Sequence, residues 1–320
     1  MKITPPSVKL LWRSLRIAGL LAGLGFMAWL LLRLLRDPQL LKNHVAISGF
    51  VEAVVIGVVA NAAGSILFSD VVSKSVPGIA IGKRLSAYYY SQVAKYIPGR
   101  VAALLVQRSL LAGPRATVAT VMSNIELTVI TGWLCTSAAL VLLASSRSPL
   151  AAVFIAVFAV CVGTWLVRMD WLPLLHRLLR RIIPAYRSSG ELPATGRPSD
   201  GFRAVVLSTS FLILPAVSSY VLLVQGMNIE STLAVPLTAL LLLSWVGGML
   251  AFVFPAGIGV RELIFFGLGG TLGQAPAAEL MAGIALASRL VQVLTDVAGV
   301  LLYFVFQKLH GIPSEPHDER

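Results

Sequence analysis

Residues 231–270 read STLAVPLTALLLLSWVGGMLAFVFPAGIGVRELIFFGLGG. Residues 231–260 carry no charged side chain. A helix needs roughly 20 residues to cross the hydrocarbon of a bilayer, so the run is long enough to be a span. It does not end like one. Pro255, Gly257 and Gly259 interrupt it, and Arg261 and Glu262 follow at once. Proline removes an N–H, and glycine releases the backbone from helical geometry. Backbone groups freed at membrane depth must be sheltered by protein or line a wet cavity. Broken helices of this kind are where transporters hold their ligands. A second stretch, SAYYYSQVAKYIPGRVAALLVQRSLL at 86–111, has the same character. There Pro98 and Gly99 lie between Lys95, Tyr96, Arg100 and Arg108.

The rest of the chain supports a membrane reading. It is 57% hydrophobic and 12% charged, with mean hydropathy +0.84, where soluble domains carry about 25% charged residues. Residues 204–229 and 148–167 are free of charge, and 116–146 holds only Glu126. The pattern predicts an all-α polytopic protein with seven full spans: 12–35, 46–69, 117–144, 149–168, 203–226, 231–253 and 276–307. The two broken segments are expected to be re-entrant or half-helical. The alternative keeps 77–96 as an interfacial helix and makes 255–272 a short eighth span. The chain reads as one integral membrane domain, 1–320, with pseudo-halves 1–168 and 203–310 joined through 169–202. In each half a break precedes a charged span residue, Pro98 before Glu126 and Pro255 before Arg289, in a parallel rather than inverted sense.

Lys2, Lys9, Arg13 and Arg16 precede the first apolar run, and Arg33 and Arg36 close it. No small-residue cleavage pattern follows, so the expectation is an uncleaved signal anchor. The 168–203 connection carries seven arginines against Asp170, Glu191 and Asp200. Positive charge in short loops marks the cytoplasmic side, which places this loop and the N-terminus in the cytoplasm. Seven spans leave the C-terminal tail outside; an eighth returns it. Residues 171–187 are basic and amphipathic; they read either as a helix end and connector that supplies the positive-inside signal or as a stretch lying on an anionic membrane surface. Residues 188–202, SSGELPATGRPSDGF, form a polar linker.

Several function classes find no support. The net charge of +12 sits at helix ends rather than in an aromatic-interleaved basic domain, so lipid headgroups are expected as partners and nucleic acid is not. Cys135 and Cys161 lie in apolar spans, and His44, His176, His310 and His317 are scattered. No metal site or disulfide framework is expected. The sequence has no phosphate-binding Walker loop and no nucleophile elbow, and PAGIGVRE lacks the strand and third glycine of a nucleotide fingerprint. The expectation is no catalytic residue, no metal and no cofactor.

What remains is charge inside the membrane, which costs roughly 3 kcal/mol per residue and so requires a partner or water. Glu126 lies about mid-span, with Ser123 and Asn124 near it. Arg289, Gln292 and Asp296 share one face of the last span. A Glu126–Arg289 or Arg289–Asp296 ion pair is one reading; contact with substrate is the other. Arg261, at a helix start after a break, reads either as a phosphate clamp or as a cation that pairs with a neighbouring acid or snorkels to the interface. Tyr88, Tyr89 and Tyr90 read as an interfacial aromatic anchor.

The segment KYIPGRV, the following span with Glu126 and the late GIGVRE resemble the lysylphosphatidylglycerol synthase transmembrane family, over roughly residues 10–310. The resemblance implies an all-helical fold with re-entrant pieces and movement of a phospholipid or polyprenyl-phosphate-linked lipid between leaflets of the bacterial inner membrane. It implies no aminoacyl transfer, since the chain has no room for the separate synthase domain. A membrane glycosyltransferase is an expected partner. On this reading Arg261, Arg289, Arg100 and Lys95 hold the headgroup or its phosphate. Glu126, Glu262 and Asp296 balance charge, with Glu126 as proton carrier. Tyr96, Pro98, Gly99, Pro255, Gly257 and Gly259 line the cavity at the breaks. The alternatives are a non-transporting subunit that presents lipid to an envelope enzyme, and an integral-membrane lipid transferase.

Overall fold

A computed structural model describes residues 46–75, 78–96, 101–111, 116–145, 147–169, 200–251, 257, 259–270 and 278–309. Among these the chain is all-helical. The helices are α1 (Ile47–Ser75), α2 (Ile81–Ala94), α3 (Val101–Leu111), α4 (Ala116–Ser145), α5 (Pro149–Arg168), α6 (Gly201–Val221), α7 (Ser231–Leu250), α8 (Val260–Gly269) and α9 (Ala278–Leu309). A π-helical turn, Leu222–Gly226, extends α6. Six of them (α1, α4, α5, α6 with its extension, α7 and α9) are long and apolar enough to cross a membrane. The expected span 12–35, the arginine-rich 170–199 region, the C-terminal tail, and Pro98, Gly99, Arg100 and Pro255 lie outside the described residues.

Local chemistry accounts for the boundaries. Ser148 caps α5 by accepting from the Ala151 N–H at 3.3 Å, and Pro149 follows where a missing N–H does no harm. Gly259, at φ 86°, starts α8. Its N–H donates to Glu262 Oε2 at 2.7 Å, closing the first turn. α1 runs to Ser75, six residues beyond its expected end at 69. The extra turn carries Asp70 and Lys74, which are charged because they have partners in the fold.

The bundle has two ends. At one, Arg203 of α6 pairs with Asp70 of α1 at 2.8 Å. At the other, the Ala46 N–H donates to Gly226 O. Helices α1 and α6 are therefore antiparallel. Helix α9 runs in the same sense as α1. Its early Gly283 lies by Met227, and its late Gln307 donates to Ser86 Oγ, near the start of α2, at 2.8 Å.

Two shorter pairs insert between these long helices. α2 and α3 pack on each other, and Gln107 Nε2 donates to Ser91 Oγ at 2.9 Å. The pair enters from the end holding Ser75, and its apex, Lys95 and Tyr96, reaches Asp296. α7 and α8 enter from the opposite end, and their apex lies where Gly248 meets Gly257 and Arg261. Both apices abut the middle of α9, between Ser288 and Asp296. The breaks thus approach from opposite ends rather than in the expected parallel sense. The reason is that α7, which reads as a complete span, stops against Gly257 and is answered by α8 turning back.

Many of the large side chains facing outward along the spans are apolar. Phe154, Phe158 and Leu263 are among the most exposed, which is lipid-facing chemistry rather than a water-facing surface. Inside, one apolar cluster joins Ala53, Leu223, Leu237, Phe265 and Ile284. Another joins Leu67, Ile130, Leu134, Val167 and Leu207. In lipid such packing acts through close contact more than through expulsion of water. Tyr88 and Tyr89 are also internal. Tyr89 stacks on Tyr303 at 4.6 Å between ring centres. The tyrosine run is a packing device of α2 and α9, not an interfacial anchor, because the apex pair tucks it beneath α9.

Candidate functional site

A cavity of about 620 Å³ lies between the two apices. That is within the usual range of roughly 300–1,000 Å³ for ligand pockets. Its charged lining residues are Lys95, Arg261 and Asp296. Each comes from a different part of the chain, and a break or the middle of α9 positions each. Val121 of α4 also lines the cavity and is 37% exposed.

Asp296 is the hub of the first apex. Lys95 Nζ lies 2.8 Å from Asp296 Oδ2. The Tyr96 hydroxyl donates to the same oxygen at 2.6 Å. Asn61 Nδ2 of α1 donates to Oδ1 at 3.4 Å. Lys95 also donates to Gln92 Oε1 at 2.8 Å and stands over the Tyr96 ring. A buried carboxylate with a cation and two further donors is a satisfied ion, and it ties the end of α2 to α9.

Arg261, in the first turn of α8, is 8% exposed. Its Nη1 donates to Gln292 Oε1 at 2.6 Å, and Nη2 lies 3.5 Å from Ser288 Oγ. Both of these partners are neutral. Among the described residues no carboxylate forms an ion pair with Arg261.

Arg289 is arranged differently from expectation. It pairs with Glu262 at 2.5 Å and donates to Gly257 O at 3.1 Å. Neither Arg289 nor Glu262 is among the cavity-lining residues. Their pairing staples the break to α9, with Gly257 at φ 67° presenting its carbonyl. The expected Arg289–Asp296 pair is replaced because Arg289 turns toward α8 while Asp296 is taken by Lys95.

The expected Glu126–Arg289 pair is likewise replaced. Glu126 is bound by Lys74 at 2.9 Å, and both are buried. Lys74 also donates to Val167 O at 2.5 Å and Met169 O at 3.3 Å. It thereby satisfies carbonyls left free at the end of α5. Glu126 is outside the cavity lining, near the bundle end that holds Ser75.

Of the residues expected at the site, Lys95, Arg261 and Asp296 meet in the cavity, with Tyr96 behind them. Gly257 and Gly259 shape the second break without lining the cavity. Several lining residues escaped the sequence reading: Asn61, Gln92, Gln107 and Trp245. Asn124, noticed only as a neighbour of Glu126, faces the cavity too. Among the described residues no cluster of His, Cys, Asp or Glu is arranged to hold a metal ion.

Comparison with protein families, with characterised proteins and with solved structures finds no match to this chain.

Proposed function

We propose that the protein is a lipid translocase of the bacterial inner membrane, taking the headgroup of a phospholipid or polyprenyl-phosphate-linked lipid into the cavity while the tails stay in the bilayer. The observation that carries this is the cavity itself. A cavity of mostly apolar lining that nevertheless carries Lys95, Arg261 and Asp296 lies inside a bundle whose exposed large side chains are largely apolar. Ionisable groups at such depth mark ligand pathways. The resemblance of KYIPGRV and GIGVRE to the lysylphosphatidylglycerol synthase transmembrane family supports the same reading.

The arrangement suits a re-entrant description. α2 and α3 contain 14 and 11 residues, about 21 and 16 Å of helix, too short for a 30 Å core. On this reading α2 and α3 do not cross the membrane, α8 turns back toward the end at which α7 begins, and α9 ends on the side of the arginine-rich loop, in the cytoplasm. The acid that reaches the cavity is Asp296, so it replaces Glu126 as the group placed to exchange a proton.

Purified protein in vesicles decides the matter. Headgroup-labelled anionic phospholipid placed in one leaflet should become accessible from the other at a rate that scales with protein. A protein that binds lipid but leaves its sidedness unchanged would be a presenting subunit for an envelope enzyme instead. Chemical conversion of the lipid, seen by mass, would indicate a transferase.

A further inference from the structure

Carboxamides dominate the polar lining of the cavity. Asn61, Gln92, Gln107, Asn124 and Gln292 come from α1, α2, α3, α4 and α9, and all face it. Each commits one end of its amide to the protein. Asn61 Nδ2 donates to Asp296. Asn124 Nδ2 donates to Gln107 Oε1 at 2.6 Å and Thr120 O at 2.7 Å. Gln92 Oε1 accepts from Lys95, and Gln292 Oε1 accepts from Arg261.

The other ends have no partner among the described residues. They are the Oδ1 acceptors of Asn61 and Asn124 and the Nε2 donors of Gln92 and Gln292. Here four such ends, two accepting and two donating, surround one space. A phosphate or carboxylate only accepts, and an ammonium only donates. A hydroxyl does both, so a group bearing several hydroxyls matches this mixed lining. Trp245 adds a broad apolar face to the same wall.

The charges restrict the ligand further. Lys95 neutralises Asp296, and Arg289 neutralises Glu262. Arg261 is left with the neutral Gln292 and Ser288, so the described residues here hold one cation in excess. A cationic headgroup is disfavoured there and a monoanion is favoured.

Resting on the lipid reading above, we propose that the headgroup is a monoanionic phosphodiester bearing an uncharged polyhydroxyl group of the sugar or cyclitol class. The phosphodiester sits on Arg261. The hydroxyls sit on the amides of Asn61, Gln92, Asn124 and Gln292.

Equilibrium binding to the full chain, in a polyoxyethylene detergent that contains no sugar, tests this independently of transport. Four probes separate the parts: dioctanoyl phosphatidylinositol has anion and polyol, dioctanoyl phosphatidylethanol only the anion, octyl glucoside only the polyol, and glycerophosphoinositol the headgroup without tails. Phosphatidylinositol should bind at least about tenfold more tightly than each of the others, one good hydrogen-bonded contact being worth about that factor. Gln92→Leu and Asn124→Leu should each erase the preference over phosphatidylethanol while leaving phosphatidylethanol binding in place. Arg261→Gln should weaken both anionic lipids and leave octyl glucoside unaffected. Equal binding of phosphatidylethanol and phosphatidylinositol by the unmodified protein would overturn the polyol site, with no variant needed. Equal binding of glycerophosphoinositol and phosphatidylinositol would overturn the lipid source. Binding as expected, but with no transport in vesicles, would uphold the site and sink the translocase reading alone.

Discussion

Replacing Glu126 should damage the fold rather than the cavity. Glu126→Leu leaves Lys74 charged, buried and without its acid. Removing one partner of a buried pair costs about 3–5 kcal/mol. Lys74→Met takes the cation away from Glu126 and also abandons the carbonyls of Val167 and Met169. Each orphaned group adds about 1–3 kcal/mol where water cannot reach it. The double substitution removes both charges together. Replacing a buried pair by apolar groups is often neutral or stabilising, so the double variant should lose only the two carbonyl contacts, about 2–6 kcal/mol together. The cycle therefore predicts a coupling of at least about 3 kcal/mol between the two residues. Reversible unfolding in mixed micelles titrated with dodecyl sulfate measures all four corners. The double variant, once folded, should bind and move lipid as the unmodified protein does. If Glu126→Leu unfolds at the unmodified midpoint while transport disappears, Glu126 acts in transport and its placement outside the site is wrong.

Arg289→Gln should cost about 3–5 kcal/mol in the same assay, because Glu262 is then buried without its cation. Arg261→Gln should stay near unmodified stability, since its partners are neutral; equal losses from the two would refute the division between staple and clamp. Gly257→Ala forces a side chain to φ 67° and drives its Cβ onto the backbone of Gly248. It should cost more than the roughly 1–3 kcal/mol of backbone strain alone. Gly78→Ala, at φ 93° in open space, is the control that carries the strain only. Cysteines placed at Gly190 and just beyond Leu309 should both be shielded from an impermeant thiol reagent in intact cells. Labelling of only one of the two would refute the proposed topology.

The spans were legible where sequence chemistry is local. α5 was read to the residue because Ser148, Pro149 and Arg168 mark its ends and nothing between them is charged. α1 was read short because Asp70 and Lys74 look like loop residues until Arg203 and Glu126 arrive from other helices. The site shows the same divide. Helical spacing correctly gathered Gln292 and Asp296 onto the cavity face. It could not reveal that Arg289 turns to Glu262, which is 27 residues away across a break. The amides were harder still. Asn61, Gln92 and Gln107 each look ordinary in their own helices, and only packing puts them around one space. The α2–α3 and α7–α8 apices meet through tertiary packing as well, although Pro98 and Pro255 announced that breaks exist.

The odd cation of the cavity has an electrical consequence. Summed over the described residues, the charge around the cavity is one positive without a ligand and zero with a monoanionic headgroup seated on Arg261. A membrane voltage of about 100 mV acts on one elementary charge with up to about 2.3 kcal/mol. The occupied protein is then indifferent to that voltage, and the vacant one is not. On the translocase proposal, an interior-negative voltage would favour the vacant, positive Arg261 site facing the cytoplasm. Resting voltage alone would in this way bias the cycle toward export, with no nucleotide consumed.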